Sequence, residues 1–106
     1  MTIEVVLEPI GSSVVPSVRA LSLYTALNIQ IPFAEWMREC IPNLSLDALV
    51  DYQTLHMDGA IGVLDYILST EAAYAICTRI GSAEALAIRH RMTLDIRQHF
   101  RVRDRR

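Results

Sequence analysis

The sequence predicts a small α+β domain: a strand, two helices, a β-hairpin and two further helices. Three observations predict this class. Apolar and polar residues alternate near the amino terminus and on both sides of Asp58-Gly59, as in half-buried strands. Elsewhere, apolar residues recur at helical spacing, and caps, prolines and glycines separate the segments. We therefore expect the order β-α-α-β-β-α-α in a single domain over residues 1–106.

The first strand is predicted over residues 3–8, where the letters IEVVLE alternate. Pro9 and the Gly-Ser-Ser that follows Ile10 would end it, so that residues 1–16 form an amino-terminal strand and loop. Glutamates would occupy one face of the strand. The apolar face would hold Ile3, Val5 and Leu7.

The first helix is predicted to begin at Pro16 and Ser17 and to end at Asn28, a residue that tolerates the left-handed conformation. A turn of about four residues would join it to the second helix and make a helix-turn-helix-like corner. Its apolar stripe would hold Val18, Leu21, Leu23, Tyr24 and Leu27.

The second helix would begin at Pro32, because proline fits a first helical turn, and would stop at Pro42. Trp36 has two possible roles, as a core residue or as a buried anchor at an interface. The residues at core-facing spacing are Phe33, Trp36, Met37 and Cys40.

The hairpin is predicted from two alternating segments, residues 50–57 and 62–68, with Asp58-Gly59 as the tight turn between them. Beyond it, Ser69 should cap a helix that runs to about Arg79.

Gly81 should end that helix, and Ser82 should cap a last helix that reaches His99 to Arg103. Residues 101–106 are expected to form a basic, frayed tail. Small residues on both helices suit either internal packing of this pair or a self-association surface. They are Ala72, Ala73, Ala75, Ala83, Ala85 and Ala87.

Charge is distributed unevenly along the chain. Residues 1–71 carry two arginines and nine acidic residues, whereas residues 72–106 carry eight arginines and three acidic residues. The net charges of these parts are −7 and +5, and the chain contains no lysine. Such asymmetry suggests that the two parts face each other, within one chain or between chains, or that one part faces a charged partner.

Several function classes lack support in the sequence. No apolar run is long enough to span a membrane, and acidic residues at Glu4 and Glu8 argue against a signal peptide. Cys40 and Cys77 are expected to be buried, reduced thiols of a cytoplasmic protein.

We find no glycine-rich phosphate loop or nucleophile elbow. Asp95 and His99 are spaced as metal ligands can be, but no third ligand accompanies them, so we expect neither an enzyme nor a cofactor or metal.

Residues 17–41, SVRALSLYTALNIQIPFAEWMRECI, resemble the start of the phage antirepressor domain of the AntA/AntB type. The family's Ala-x-x-Leu, turn and Phe-x-x-Trp-Ile positions correspond to Ala20 and Leu23, residues 27–29, and residues 33–37, with asparagine replacing the usual glycine. Residues 49–55, 64–76 and 97–100 are similar to later segments of that family, whereas residues 80–92 resemble the related Bro-N domain. The resemblance therefore covers residues 17–100 as a composite of two families.

This resemblance implies an antirepressor, which binds a phage repressor in the bacterial cytoplasm, prevents operator binding and promotes prophage induction. It also implies a bare amino-terminal module. We expect a homo-oligomer and weak or no DNA binding. An acidic surface complementary to the basic DNA-reading face of a repressor would bind it. The candidate residues are Glu35, Glu39, Asp47, Asp51, Asp58 and Asp65.

DNA binding is the competing hypothesis, because Bro-N relatives are associated with it. The carboxy-terminal helix and tail are rich in arginine, although an isoelectric point near 5.8 is low for a dedicated DNA-binding domain. The candidate residues are Arg89, Arg91, Arg97, Arg101 and Arg103, together with Arg105 and Arg106.

Overall fold

The computed structural model describes residues 3–56 and 62–100, with the backbone alone at residues 99 and 100. The α+β class is confirmed, and the element order β-β-α-α-β-β-α-α contains one strand more than the sequence predicts. The elements are β1 (Val6–Ile10), β2 (Ser13–Arg19), α1 (Ala20–Ala26), α2 (Phe33–Asn43), β3 (Tyr52–Leu55), β4 (Asp65–Ser69), α3 (Thr70–Ile80) and α4 (Ala83–Phe100).

Strand β2 occupies the segment for which the sequence predicts a loop and the start of a helix. Pro16 and Ser17 lie inside this strand, and Pro16 stands opposite Leu7 of β1. In an antiparallel ladder only alternate residue pairs exchange N–H···O bonds, and the pairs that contain Pro9 and Pro16 are of the same, non-bonding kind. Proline is therefore accepted within the hairpin, and the predicted helix start at Pro16 is wrong.

The position and inward face of β1 also differ from the prediction. The strand begins and ends later than predicted. Side chains of a strand alternate between its two faces, so the burial of Ile10 on one face places Leu7 on the other, where it is 47% exposed. Ile3 and Val5 are buried as expected, but they precede the paired strand. The alternation of buried and exposed residues therefore shifts by one position between Val5 and Ile10, and this shift places Leu7 outside the core.

The turn between β1 and β2 depends on Gly11, whose φ is +61°. A Cβ at this position would clash with the backbone oxygen of Leu49, so any side chain would force the backbone to shift. The Gly11 amide also donates a hydrogen bond of 2.9 Å to Oε1 of Gln53. These contacts hold the first hairpin against the segment that leads into β3.

The four strands form one antiparallel sheet in the order β1-β2-β4-β3. The predicted pairing of the hairpin strands is confirmed, with Tyr52 opposite Leu68 and Leu55 opposite Asp65. Both strands are shorter than predicted, and the Asp58-Gly59 turn lies outside the described residues.

The corner between α1 and α2 forms as the sequence predicts. Asn28 has a φ of +57°, the left-handed conformation expected at the end of α1. The hydroxyl of Tyr24 donates a hydrogen bond of 2.6 Å to the backbone oxygen of Ile31, which ties α1 to the entry of α2. Helix α2 continues one residue beyond Pro42, where the sequence predicts its end.

The helix boundaries around α3 are confirmed by their caps. The Ser69 hydroxyl accepts a hydrogen bond from the Ala72 amide at 3.1 Å, and Ser82 does the same for Ala85 at the start of α4. Gly81 ends α3 in the left-handed conformation, with a φ of +69°. Each of these signals acts within four residues of its target, which explains why the sequence alone shows them.

The core lies between the sheet and the helices. Within residues 3–56 and 62–100, no helix combines the length and apolar composition needed to cross a bilayer. The predicted inward residues of α2 are confirmed, with Phe33 half-buried and the other three buried. Buried members of the core include Val18, Leu23, Trp36, Met37, Cys40, Leu68, Ile76, Cys77 and Met92.

Candidate functional site

Helix α2 presents two of the six acidic residues that the sequence proposes for partner binding. Glu35 and Glu39 are one helical turn apart and exposed, because the opposite side of the helix packs into the core. We call this pair the acidic edge. Neither carboxylate forms an ion pair with another described residue. The ion pair observed among these residues joins Glu8 and Arg19 at 3.1 Å.

A groove of about 200 Å³ between α2 and α3 borders the acidic edge at Glu39. Glu39 and Arg79 both line this groove without forming an ion pair. The pKa of the neighbouring Cys40 thiol is raised to about 11, mainly by burial and secondly by Glu39, while Arg79 opposes the rise. The acidic edge therefore has a cation near its Glu39 end.

Asp65 lies in β4 and has a structural role. Its Oδ1 accepts hydrogen bonds from the backbone amides of Leu21, at 2.9 Å, and Tyr66, at 2.7 Å. The Leu21 amide is one of the first-turn donors of α1, and the residue before that helix, Arg19, provides no side-chain cap. Asp65 thus caps a helix that precedes it by 44 residues.

The other candidate carboxylates lie beyond α2. Asp51 is half-buried, and its Oδ2 accepts a hydrogen bond of 2.9 Å from the Asp47 amide, which shapes the loop before β3. Asp47 itself is exposed. Asp58 lies outside the described residues. Three of the six candidates, Glu35, Glu39 and Asp47, are therefore exposed in the part that the structure describes.

A second groove, of about 470 Å³, lies on the other side of α2. Its walls are mostly apolar, and Arg38 adds a positive charge. Burial raises the pKa of Tyr66 in this groove; Tyr52 also raises it, and Arg38 opposes the rise. The lining residues are Phe33, Ala34, Arg38, Ile41, Pro42, Val63 and Tyr66.

The shape and polarity of this second groove suit a large apolar side chain followed by a carboxylate. Sequence reasoning did not find it, because its residues come from α2, from β4 and from the segment that leads into β4. The one available signal was that Ala34, Arg38 and Ile41 recur at helical spacing beside the core stripe of α2.

The arginines proposed for nucleic-acid contact have different environments. Arg89 donates a hydrogen bond of 2.9 Å to Oγ1 of Thr78 and so links α4 to α3. Arg91 and Arg97 are exposed on α4. Arg101, Arg103, Arg105 and Arg106 lie outside the described residues.

Nucleophilic and metal-binding groups are not brought together in the described residues. Cys40 and Cys77 are both buried, as expected, and burial raises the pKa of each thiol to about 11. Neutral thiols of this kind are poor nucleophiles and poor metal ligands at physiological pH. Within the described ranges, no cluster of three histidine, cysteine or acidic residues could hold a metal ion.

Comparison of the chain with protein-family models, with curated proteins and with solved structures finds no match.

Proposed function

We propose that this protein is an antirepressor, which binds a phage repressor in the cytoplasm of the bacterial host, blocks its binding to the operator and promotes prophage induction. The observation that carries this proposal is the acidic edge, two exposed carboxylates without an ion-pair partner in the described residues. The edge belongs to residues 17–41, a segment that resembles the start of the antirepressor domain.

The charge of the acidic edge suits this partner. A repressor reads DNA with a basic surface, and an acidic protein attracts that surface and competes for it. Interfacial charges of this kind increase the association rate and select partners more than they add affinity. The apolar groove beside Arg38 adds a surface that an apolar side chain of the repressor can enter.

The test is displacement of a fluorescent operator duplex from the repressor of the same prophage, followed by anisotropy. The protein should release the duplex, and the double variant Glu35→Arg/Glu39→Arg should slow its association with the repressor about tenfold at low salt. The difference should shrink as salt rises, because the attraction is screened.

The matched control is Glu4→Arg/Glu71→Arg, which makes the same charge change at two exposed carboxylates outside α2. Circular dichroism should show that both variants fold. Equal rates for the two variants would remove the acidic edge from the mechanism. If the wild-type protein does not release the duplex, the proposed antirepressor function is wrong.

DNA binding is the second candidate function, and the exposure of Arg91 and Arg97 on α4 favours it. Because the isoelectric point is near 5.8 and the chain contains no lysine, we expect weak binding without sequence preference. Affinity for a random duplex should fall steeply with salt, because each neutralised phosphate releases a counterion. Tight, sequence-selective binding at about 150 mM salt would favour this function over repressor binding.

A further inference from the structure

Helix α4 has apolar residues on two opposite sides. The side that packs on the rest of the domain includes Ala85, Ile88 and Met92. At 100° per residue, Leu86 and Leu94 lie on the opposite side, with His90 midway between them. We call this exposed strip the outer seam. It consists of Ala83, Leu86, Ala87, His90 and Leu94, all of them exposed.

The outer seam is not explained by the fold of one chain. Leu86 is 42% exposed and Leu94 43% exposed. A single exposed leucine is ordinary, but here two leucines and two alanines follow one side of a helix that is already anchored by its other side. Such a strip is typical of a helix that packs against a second helix.

We propose that the outer seam pairs, in antiparallel orientation, with the same seam of a second copy of this chain. The spacing of the seam is symmetric about His90, since Leu86 and Leu94 each lie four residues from it. A two-fold axis at His90 therefore places Leu86 of each copy against Leu94 of the second copy. The small side chains of Ala83 and Ala87 allow the two helix backbones to approach closely.

The positions of two opposite charges along α4 favour the antiparallel orientation. Glu84 lies in the first turn and Arg97 near the other end, about 20 Å away along the axis. Antiparallel pairing about His90 places each Arg97 within one residue, along the axis, of Glu84 of the second copy, whereas parallel pairing places identical charges at the same level. The helix dipoles also oppose one another in the antiparallel arrangement.

The size of the seam sets the expected strength of the dimer. A single helix contributes less area than the roughly 800 Å² per partner of a standard stable interface. We therefore expect a dimer that dissociates on dilution. This inference rests on α4 alone and does not depend on the proposed repressor binding.

The first experiment measures mass against concentration by sedimentation equilibrium. The wild-type protein should change from 11.9 kDa to twice that mass as concentration rises through the micromolar range. Leu94→Arg should weaken dimerisation by about thirtyfold or more. Leu21→Arg is the matched control, because Leu21 is 41% exposed and lies on α1, and it should leave dimerisation unchanged.

Two results of this first experiment would overturn the proposal. The first is a monomer throughout the concentration range. The second is an equal loss of dimerisation in both leucine variants when circular dichroism shows that both are folded.

The second experiment tests orientation by exchanging charges. Glu84→Arg alone and Arg97→Glu alone should each weaken the dimer several-fold, and the double variant should recover it, because the exchanged charges meet again across the two-fold axis. Additive losses in the double variant would contradict the antiparallel pair.

The third experiment locates the two-fold axis by cross-linking. His90→Cys should form a covalent dimer under mild oxidation, whereas Gln98→Cys should not, because its counterpart would lie about 24 Å away along the axis. The native thiols are buried and have raised pKa values, so they should not compete. Efficient cross-linking at position 98 but not at 90 would place the contact elsewhere.

Discussion

Helices α2 and α4 use apolar residues in different ways. In α2 the buried residues Trp36, Met37 and Cys40 lie on one side, and the acidic edge lies on the other. In α4 the leucines of the outer seam lie opposite its buried residues. The comparison teaches that the apolar residues of α2 lie in the core or along a groove beside it, whereas α4 has two exposed leucines on a second side that the described residues do not cover.

The largest expected effect comes from truncating the anchor of α2. Trp36→Ala should lower the free energy of unfolding by about 3–5 kcal/mol, because it removes a buried ring that packs at 5.5 Å from the ring of Tyr24. Leu94→Ala on the outer seam should change the stability of the monomer by less than about 0.5 kcal/mol. Urea denaturation at a concentration below the dimer range measures both.

Similar losses of stability in these two variants would contradict the comparison, because Leu94 would then belong to the core of a single chain.

A second expected effect concerns pH and the buried thiols of Cys40 and Cys77. Burial raises the pKa of each from 9.0 to about 11. The unfolded chain loses these protons near pH 9 whereas the folded chain keeps them until about pH 11, so the unfolded state binds fewer protons in this window. The free energy of unfolding should therefore fall as pH rises from 9 to 11.

Urea midpoints across this pH window provide the measurement. The variant Cys40→Ala/Cys77→Ala should show a shallower decline than the wild-type protein, although its stability at neutral pH is lower. An identical slope in the variant would show that other groups cause the pH dependence.

A smaller loss of stability is expected when Asp65 is substituted. This variant tests whether the Asp65 carboxylate stabilises the start of α1, the helix next to α2. Asp65→Ala should lower the free energy of unfolding by about 1 kcal/mol, because the Leu21 amide loses its capping carboxylate. Asp47→Ala is the control, since the Asp47 side chain is exposed and forms no hydrogen bond among the described residues. Equal values for the two variants would show that the long-range cap does not stabilise the helix.

The smallest expected effect is at the surface ion pair of the first hairpin. Arg19→Ala removes the contact with Glu8 at 3.1 Å and should lower the free energy of unfolding by about 0.5 kcal/mol. The loss should diminish at high salt, because the pair is partly exposed. A loss above about 2 kcal/mol would instead show that Arg19 supports the junction between β2 and α1 in some other way.

Much of the fold was predictable because its signals are local. The caps of α3 and α4, the left-handed Asn28 and the inward side of α2 follow from residues within about one or two helical turns. The acidic edge was predictable for the same reason, since the side of α2 opposite a core stripe must face solvent.

The errors arose where strand pairing outweighed a local signal. Pro16 followed by Ser17 is a valid helix start in isolation, and nothing nearby in the sequence shows that Pro16 will stand opposite Leu7 in a ladder pair that requires no amide donor. The burial of β1 was misjudged similarly, because the side that faces the core depends on the partner strand.

The sequence by itself determined the α+β class, the paired strands β3 and β4, the two helix pairs and the uneven charge of the chain, because periodicity, capping and composition are properties of short segments. Only the tertiary structure decided that Asp65 caps α1, that β2 joins the sheet and that the outer seam of α4 remains exposed. The physical reason is that each of these depends on residues far apart in the chain, whose positions are set by packing and strand pairing.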